Sequence, residues 1–255
     1  PDSQYNITIR NGVVREWGYH GVDAANADNS SLENLKAFTN GWESAGQDGL
    51  RIGQNGRVSG CQAEANQGDG IHAYSGSTIT DSTARDNGDD GITTGAGCTI
   101  TDSTAYNNGG AGILASDDST ISEATARNNG DDGIEAGSGC RITGSTARNN
   151  GDDGIDTGQG CTITDSTASE NGDDGIYAGS GSTLRRCTAQ YNTGDGIQVY
   201  GDCTVAANTC DENGNGGDGA GIHATSADNR IEDNQVTDND RGIDVDSSGN
   251  IIVRN

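Results

Sequence analysis

An apolar residue falls at Leu50, Ile71, Ile92, Ile113, Ile134, Ile155, Ile176 and Ile197, a spacing of 21 every time. After a 25-residue step to Ile222 the interval of 21 returns at Ile243. Each apolar residue closes a short unit that reads N-G-D-D-G-I in its clearest copies, with the glycine-to-isoleucine part at Gly88 to Ile92, Gly130 to Ile134, Gly151 to Ile155 and Gly172 to Ile176. Self-similarity at a fixed period marks a repeat architecture, so the chain reads as a stack of equivalent coils.

Within a coil the period changes to two. Ile92, Thr94, Cys98, Ile100, Ser103 and Ala105 alternate with Thr93, Thr99, Thr101 and Thr104, the pattern of short strands with one buried face. Gly95, Gly97 and Asp102 separate the segments as turns require. Three strands and three turns per coil predict an all-β parallel solenoid, because a coil with so small an apolar face must bury it on its neighbours. Coils ~4.8 Å apart, roughly eleven of them, would form a rod about 50 Å long. The Thr, Ile, Gly and Asp content, with no 3.6-residue pattern, excludes a helical repeat.

The prediction is one domain over residues 1–255, with irregular coils at 1–49, regular coils at 50–205 and looser ones at 206–255. From Val22 to Leu50 is 28 residues, seven over the period: two come before Leu32 and about five around Gly41 to Ala45, a loop that carries Trp42. A second insertion of about four residues, Asn213 to Gly217, falls at the same turn of a later coil. Gly216 to Gly219 hints at a nonapeptide Ca2+ repeat, but no nine-residue period supports it.

Composition fits a thin interior: 42 Gly, one Pro, one Phe and no Met leave too few large residues for an ordinary globular core. Disorder is excluded by the fixed phase of the aliphatic residues. A formal charge of −25 argues against nucleic acid as a partner and favours cations or solubility in salt. No apolar run approaches the ~20 residues of a membrane span and no signal peptide is visible at Pro1, so the chain reads as a mature or trimmed fragment, expected to be a monomer.

Residues 21 apart become neighbours along the rod, so each position of the repeat is a column. Asn66, Asn87, Asn108, Asn129, Asn150, Asn171, Asn192 and Asn213 form a structural one, since stacked amides satisfy one another and the turn backbone. Cys98, Cys140, Cys161 and Cys203 alternate with serines, Cys61 and Cys187 share a second column with Ser and Ala, and Cys210 reads as out of phase. Interchange with Ser and Ala marks small interior fillers, and no C-x-x-C or His pairing points to a thiolate metal site. Cys140 and Cys161 are near enough in the stack to consider a disulfide, although in-register parallel strands rarely offer its torsion.

The acidic columns are the candidates for function. Asp48, Asp69, Asp90, Asp132, Asp153, Asp174 and Asp195 share one position, broken at Ala111, and Asp89, Asp131, Asp152 and Asp173 the one before it. Like charges at such spacing must splay into water, hold protons or be bridged by cations. Oxygen ligands in this arrangement suit Ca2+, and the expected ligands are Asp89, Asp90, Asp131, Asp132, Asp152, Asp153, Asp173 and Asp174. The competing reading is that D-G makes a good turn and the carboxylates are simply solvated. For catalysis, Asp153, Asp156 and Tyr177 are the residues that can serve as acid or base, with Glu135 adding charge beside them. His72 and His223 share an outward column but lie seven rungs apart, too far to cooperate.

The pattern N-x-x-x-G-I, then T-I, then T-A-x-N resembles the right-handed parallel β-helix repeats of the pectate-lyase-like superfamily, over nearly the whole chain. That resemblance implies the right-handed parallel β-helix fold and a secreted or cell-surface protein that engages polysaccharide as a lyase, C5-epimerase, hydrolase or tailspike. The R-x-K and histidine-containing motifs of the hydrolase branch and the Y-G-x-D-P-H type motif of alginate epimerases do not occur in this sequence. The regularity of the coils also fits a non-catalytic structural or adhesive protein. The outward columns Thr78, Thr99, Thr120, Thr162, Thr183, Thr204 and Thr80, Thr101, Ser122, Thr143, Thr164, interrupted by Arg141 and Arg185, resemble ice-binding surfaces of some β-helical antifreeze proteins.

Overall fold

The computed structural model describes residues 4–43, 46–214, 217 and 219–255. Ser44 and Ala45 of the Trp42 loop, and Asn215, Gly216 and Asp218 of the later insertion and the nonapeptide-like stretch, lie outside the described residues. The chain winds as a parallel β-helix in which each coil contributes one strand to each of three long sheets. The first sheet has 11 strands, from Val22–Ala24 to Arg241–Val245; the second has 12, from Thr8–Arg10 to Ile251–Val253; the third has 11, from Val13–Arg15 to Gln235–Thr237. A two-stranded pair of Gln4–Tyr5 and Ala27–Asp28 completes the set.

Register is in phase with the sequence period. Ile92 pairs with Ile113, Ile100 with Ile121 and Ala105 with Ala126, so identical residues stack on identical residues. The interior has two aliphatic rows and an alanine row, fully buried in the regular coils as at Ile134, Ile142 and Ala147, with a further row of small residues such as Ala73, Ala115 and Ala178. End members such as Ile9, Val14, Val236 and Ile243 are partly buried. Cys210 is not out of phase: it pairs with Ala189 and takes the alanine place in that row, fully buried. The seven cysteines are free and buried. The extra residues fall where the spacing puts them, since Val22 pairs with Leu50 and Ile197 with Ile222. Among the described residues no helix is long and apolar enough to cross a membrane.

Each coil turns at three corners, and each corner holds one residue in the left-handed region. In one coil these are Asp118 (φ 57°), Glu123 (φ 51°) and Asn128 (φ 54°). Short polar side chains tolerate that conformation best, which is why Asn and Asp crowd these positions. Inside the third corner the asparagines form a continuous ladder. Asn108 Nδ2 donates to Asn129 Oδ1 at 3.0 Å, and Asn129 Nδ2 to Asn150 Oδ1 at 3.0 Å. The same Asn129 Nδ2 also donates to the Ala105 carbonyl at 3.4 Å.

The next coil's backbone and the ladder together explain the glycine before each isoleucine. A Cβ on Gly133 would stand 2.5 Å from the Gly154 carbonyl oxygen, 2.6 Å from Asn150 Nδ2 and 2.8 Å from Ala147 Cβ, so this glycine is required by close packing against the following coil.

Candidate functional site

The last outward position of the third sheet varies, as Arg85–Tyr106–Arg127–Arg148–Ser169–Gln190, but the first outward position of the second and third sheets largely repeats, as in Thr78–Thr99–Thr120 and Thr83–Thr104–Thr125–Thr146. The outward column of the first sheet does not. From Arg51 it runs through His72, Thr93, Leu114, Glu135, Asp156, Tyr177, Gln198 and His223. Where a scaffold selects one residue for every coil, a face that changes at every rung is answering to something outside the scaffold. The next outward position is glycine at Gly53, Gly95, Gly137, Gly158 and Gly179, and only two coils place a tyrosine there, Tyr74 and Tyr200.

The corner that leads into this face carries the two aspartate columns, and they differ. Asp89, Asp131 and Asp152 are exposed, as solvated turns should be. The inner column is largely buried: Asp48, Asp69, Asp132, Asp174 and Asp195 are each at most 8% exposed. One oxygen of each inner carboxylate accepts the backbone N–H of the next coil, Asp153 N–H to Asp132 Oδ1 at 2.8 Å and Asp174 N–H to Asp153 Oδ1 at 2.8 Å. The expectation of solvation therefore fails for this column, because its carboxylates are bonded into the stack. Burial pushes Asp132 up to about 7, Asp153 to about 8 and Asp174 to about 7. The Asp174 charge adds to burial at Asp153, whereas at Asp174 the hydrogen bond from the Asp195 N–H opposes burial and the Asp195 charge adds to it.

Of the expected ligands, Asp131, Asp132 and Asp152 bring three carboxylate oxygens within 4.8 Å of one another, and Asp152, Asp153 and Asp173 do the same one coil on. Asp89 and Asp90 form such a group with Asp69. Asp174 is outside these groups, its second oxygen accepting from Gln198 Nε2 at 3.0 Å.

Midway along the face, Glu135, Asp156, Tyr177 and Tyr200 line a groove of about 440 Å³ floored by Gly137, Gly158 and Gly179. Glu135 and Asp156 are register neighbours, as are Asp156 and Tyr177. Burial, then Glu135, pushes Asp156 up to about 6. The rings of Tyr177 and Tyr200 meet edge to face, with centroids 5.9 Å apart. Burial and that neighbour raise the Tyr177 hydroxyl above its ordinary value. Of the three predicted acid–base residues, Asp156 and Tyr177 thus share the groove, while Asp153 lies at the adjoining corner.

A second group, toward the first coils, is one that sequence reasoning missed. His72 Nδ1 lies 3.1 Å from Asp69 Oδ2. Arg51 donates from Nη2 to Tyr74 Oη at 2.7 Å, its Nη1 is 3.0 Å from His20 Nε2, and its Nε is 3.3 Å from Asp48 Oδ2. Asp48 N–H donates to His20 Nδ1 at 2.8 Å. Burial, then Arg51, lowers the His20 pKa. The signal was present in the sequence: Arg51, His72 and Tyr74 all break columns, and His20 enters on the turn that precedes the Trp42 insertion. At the far end His223 sits between Asp195 (2.7 Å) and Asp246 (3.2 Å), seven rungs from His72 as the spacing required.

A family model described as "Right handed beta helix region" matches residues 2–138 and 114–255. The chain belongs to that right-handed β-helix family. A search of curated proteins finds no match. Among solved structures it resembles the mannuronan C-5 epimerase AlgE4 A-module of Azotobacter vinelandii, with a TM-score of 0.78 and 14% identity over 97% of this chain and 83% of that one. It also resembles the Dettilon tailspike protein (0.67, 17% identity, 94% of this chain and 60% of that one). A third is the pectate lyase Pel9A (0.58, 14% identity, 90% and 71%). At such identities the likeness shows the fold, and the fold alone does not name a reaction.

Proposed function

We propose that this β-helix is an extracellular or surface protein, monomeric, that binds a polysaccharide laid along the outward face of its first sheet, with Ca2+ held by the corner carboxylates beside it. One observation carries the reading: the non-repeating column on that face, with its tyrosine-walled, glycine-floored groove. Aromatic rings beside polar groups in a shallow groove suit sugar rings, whose apolar faces stack and whose hydroxyls need donors and acceptors. The fold's appearance in an epimerase, a lyase and a tailspike supports a saccharide polymer as the ligand.

The donor chemistry fits Ca2+. Hard carboxylate oxygens gather in threes at Asp131–Asp132–Asp152 and Asp152–Asp153–Asp173, and turn carbonyls and water can complete the shell. Bound there, the ion would supply charge neutralisation, letting buried carboxylates ionise and an anionic sugar approach an acidic face.

Affinity electrophoresis through gels cast with neutral and uronate polysaccharides, with Ca2+ or with chelator, tests this. At least one polymer should retard the protein. Tyr177→Ala should weaken binding about tenfold, the loss of one aromatic contact of ~1.4 kcal/mol. Failure of every polymer to retard the chain in Ca2+ would sink the proposal.

A further inference from the structure

Around the third corner from the groove, the third sheet carries an outward column of its own that does not repeat. Its last outward position reads Arg85, Tyr106, Arg127, Arg148, Ser169 and Gln190, while the position two residues earlier stays threonine from Thr83 to Thr209. We propose that the ladder Arg85–Tyr106–Arg127–Arg148 is a second polysaccharide-binding face, taking a polymer that bears carboxylate or sulfate groups, so that one rod bridges two polymer strands. The inference rests on the polysaccharide reading above.

The ladder is built around a ring. Arg127 Cζ lies 4.2 Å from the Tyr106 ring centroid and Arg85 Cζ 5.9 Å from it, so the phenol stands between two cations in the register. A guanidinium packed on an aromatic ring keeps its in-plane N–H groups for other partners. At Arg85 those partners are present, Glu64 at 2.7 Å and Asp86 at 2.6 Å, and Arg148 has Glu170 at 2.7 Å. Arg127 differs. It is exposed, and among the described residues no carboxylate pairs with it.

The surroundings keep it so. The corner position after this column is acidic at Asp86 and Glu170, but in the three coils between them it is Asn107, Asn128 and Asn149. Those amides bond to one another, Asn149 Nδ2 to Asn128 Oδ1 at 2.7 Å and Asn128 Nδ2 to Asn107 Oδ1 at 3.3 Å, and bring no negative charge to Arg127. Arg127 and Arg148 are also register neighbours, and like charges on adjacent strands cost stability unless an opposite charge lies across them. On a chain with 39 acidic residues against 14 basic ones, this is a cationic window kept open in an acidic surface.

The window selects its ligand. A guanidinium fork matches the oxygens of a carboxylate or of a tetrahedral oxyanion such as a sulfate ester. The strip is open and runs along the rod, with Thr104, Thr125 and Thr146 in the next column to meet sugar hydroxyls. At its early end a cavity of about 310 Å³, lined by Gln62, Glu64, Thr83, Arg85, Thr104 and Tyr106, has the size and polar lining for one sugar unit. Nucleic acid, with a phosphate at every nucleotide, is repelled by the corners on either side, where Asp102, Glu123 and Asp131 stand.

The full chain and the variants Arg127→Ala, Arg127→Lys and Tyr177→Ala are compared in Ca2+ on a polyuronate, a sulfated polysaccharide and a neutral one. Retardation in polymer gels, viscosity of the polymer solution and sedimentation of the protein alone are measured. A bivalent rod should raise the viscosity of at least one acidic polymer, most strongly at intermediate protein concentration, and the polymer that responds names the anionic group. Arg127→Ala and Tyr177→Ala should each lose most of that rise while still being retarded through the face left intact. In the Tyr177→Ala background, Arg127→Ala should weaken binding about tenfold further, with Arg127→Lys in between because lysine keeps the charge without the fork. The melting temperature should not move, since Arg127 is exposed. A viscosity rise that survives Arg127→Ala, an equal rise with the neutral polymer, or retardation of the wild type with no rise overturns this inference alone. Self-association without polymer that Arg127→Ala abolishes gives the face to a second copy of the chain and overturns it too. Retardation by no polymer overturns the function on which it rests.

Discussion

At the scale of single residues, the inner aspartates set the pH response. Asp132, Asp153 and Asp174 carry folded-state values of about 7, 8 and 7 against 3.8 for a free side chain. The fold therefore binds more protons than the unfolded chain between pH ~4 and ~8, and stability falls as pH rises through that window. The protein should melt higher at pH 5 than at pH 8.5, opposite to the usual acid loss, and differential scanning calorimetry reads this directly. Asp153→Asn removes one such charge while keeping the acceptor for Asp174 N–H. It should raise the melting temperature by about 3 °C at pH 8.5 and leave it nearly unchanged at pH 5. Millimolar Ca2+ should stabilise at pH 8.5 by a similar amount, and an unmoved transition would remove the metal from the proposed function.

At the scale of the elements, coil, strand and corner were legible in the sequence because each follows from a local rule repeated many times. The row from Leu50 to Ile197 announced the first sheet, and the asparagine column announced a ladder that the structure contains. What the sequence concealed was which glycine does what. Gly133 reads as a turn residue but is kept small by the Gly154 carbonyl and Asn150 of the next coil, while the left-handed position falls on Asn128. Cys210 was misread because no other cysteine shares its row, and only pairing with Ala189 on one side and Val236 on the other reveals the place it fills. The ladder yields its own prediction. Asn150→Leu strips the acceptor from Asn129 and the donor from Asn171 Oδ1, and leaves the Ala126 carbonyl without its amide partner. It should cost about 2–4 kcal/mol in urea unfolding, more than Asn149→Ala at the exposed position beside it.

At the scale of the whole molecule, the site was less legible than the fold because it is written in exceptions. Asp156 and Tyr177 were found from their charge and their neighbours. His20, Arg51, His72 and Tyr74 were not, since their meeting depends on a 28-residue step between Val22 and Leu50 that brings His20 over Asp48. A rod of equivalent coils should also tolerate loss of one full period. Deleting residues 109–129, 21 in all, joins Asn108 to Gly130 in register and sets Asp132 beside Asp90. That chain should fold with an unchanged β spectrum by circular dichroism, whereas deleting residues 109–128 should not, because one residue of slip turns every buried side chain outward.

The asparagine ladder gives this rod an electrical axis. From Asn40 through Asn66 to Asn213 each amide donates to the asparagine of the later coil, and the row ends at Asn239, which accepts from Asn213. Hydrogen bonds within a strand point alternately up and down the stack and largely cancel, but these side-chain dipoles all point the same way. Aligned amides polarise one another, so the row behaves as one cooperative unit. Cutting it at Asn129, with long rows on both sides, should weaken it more than cutting it near Asn40.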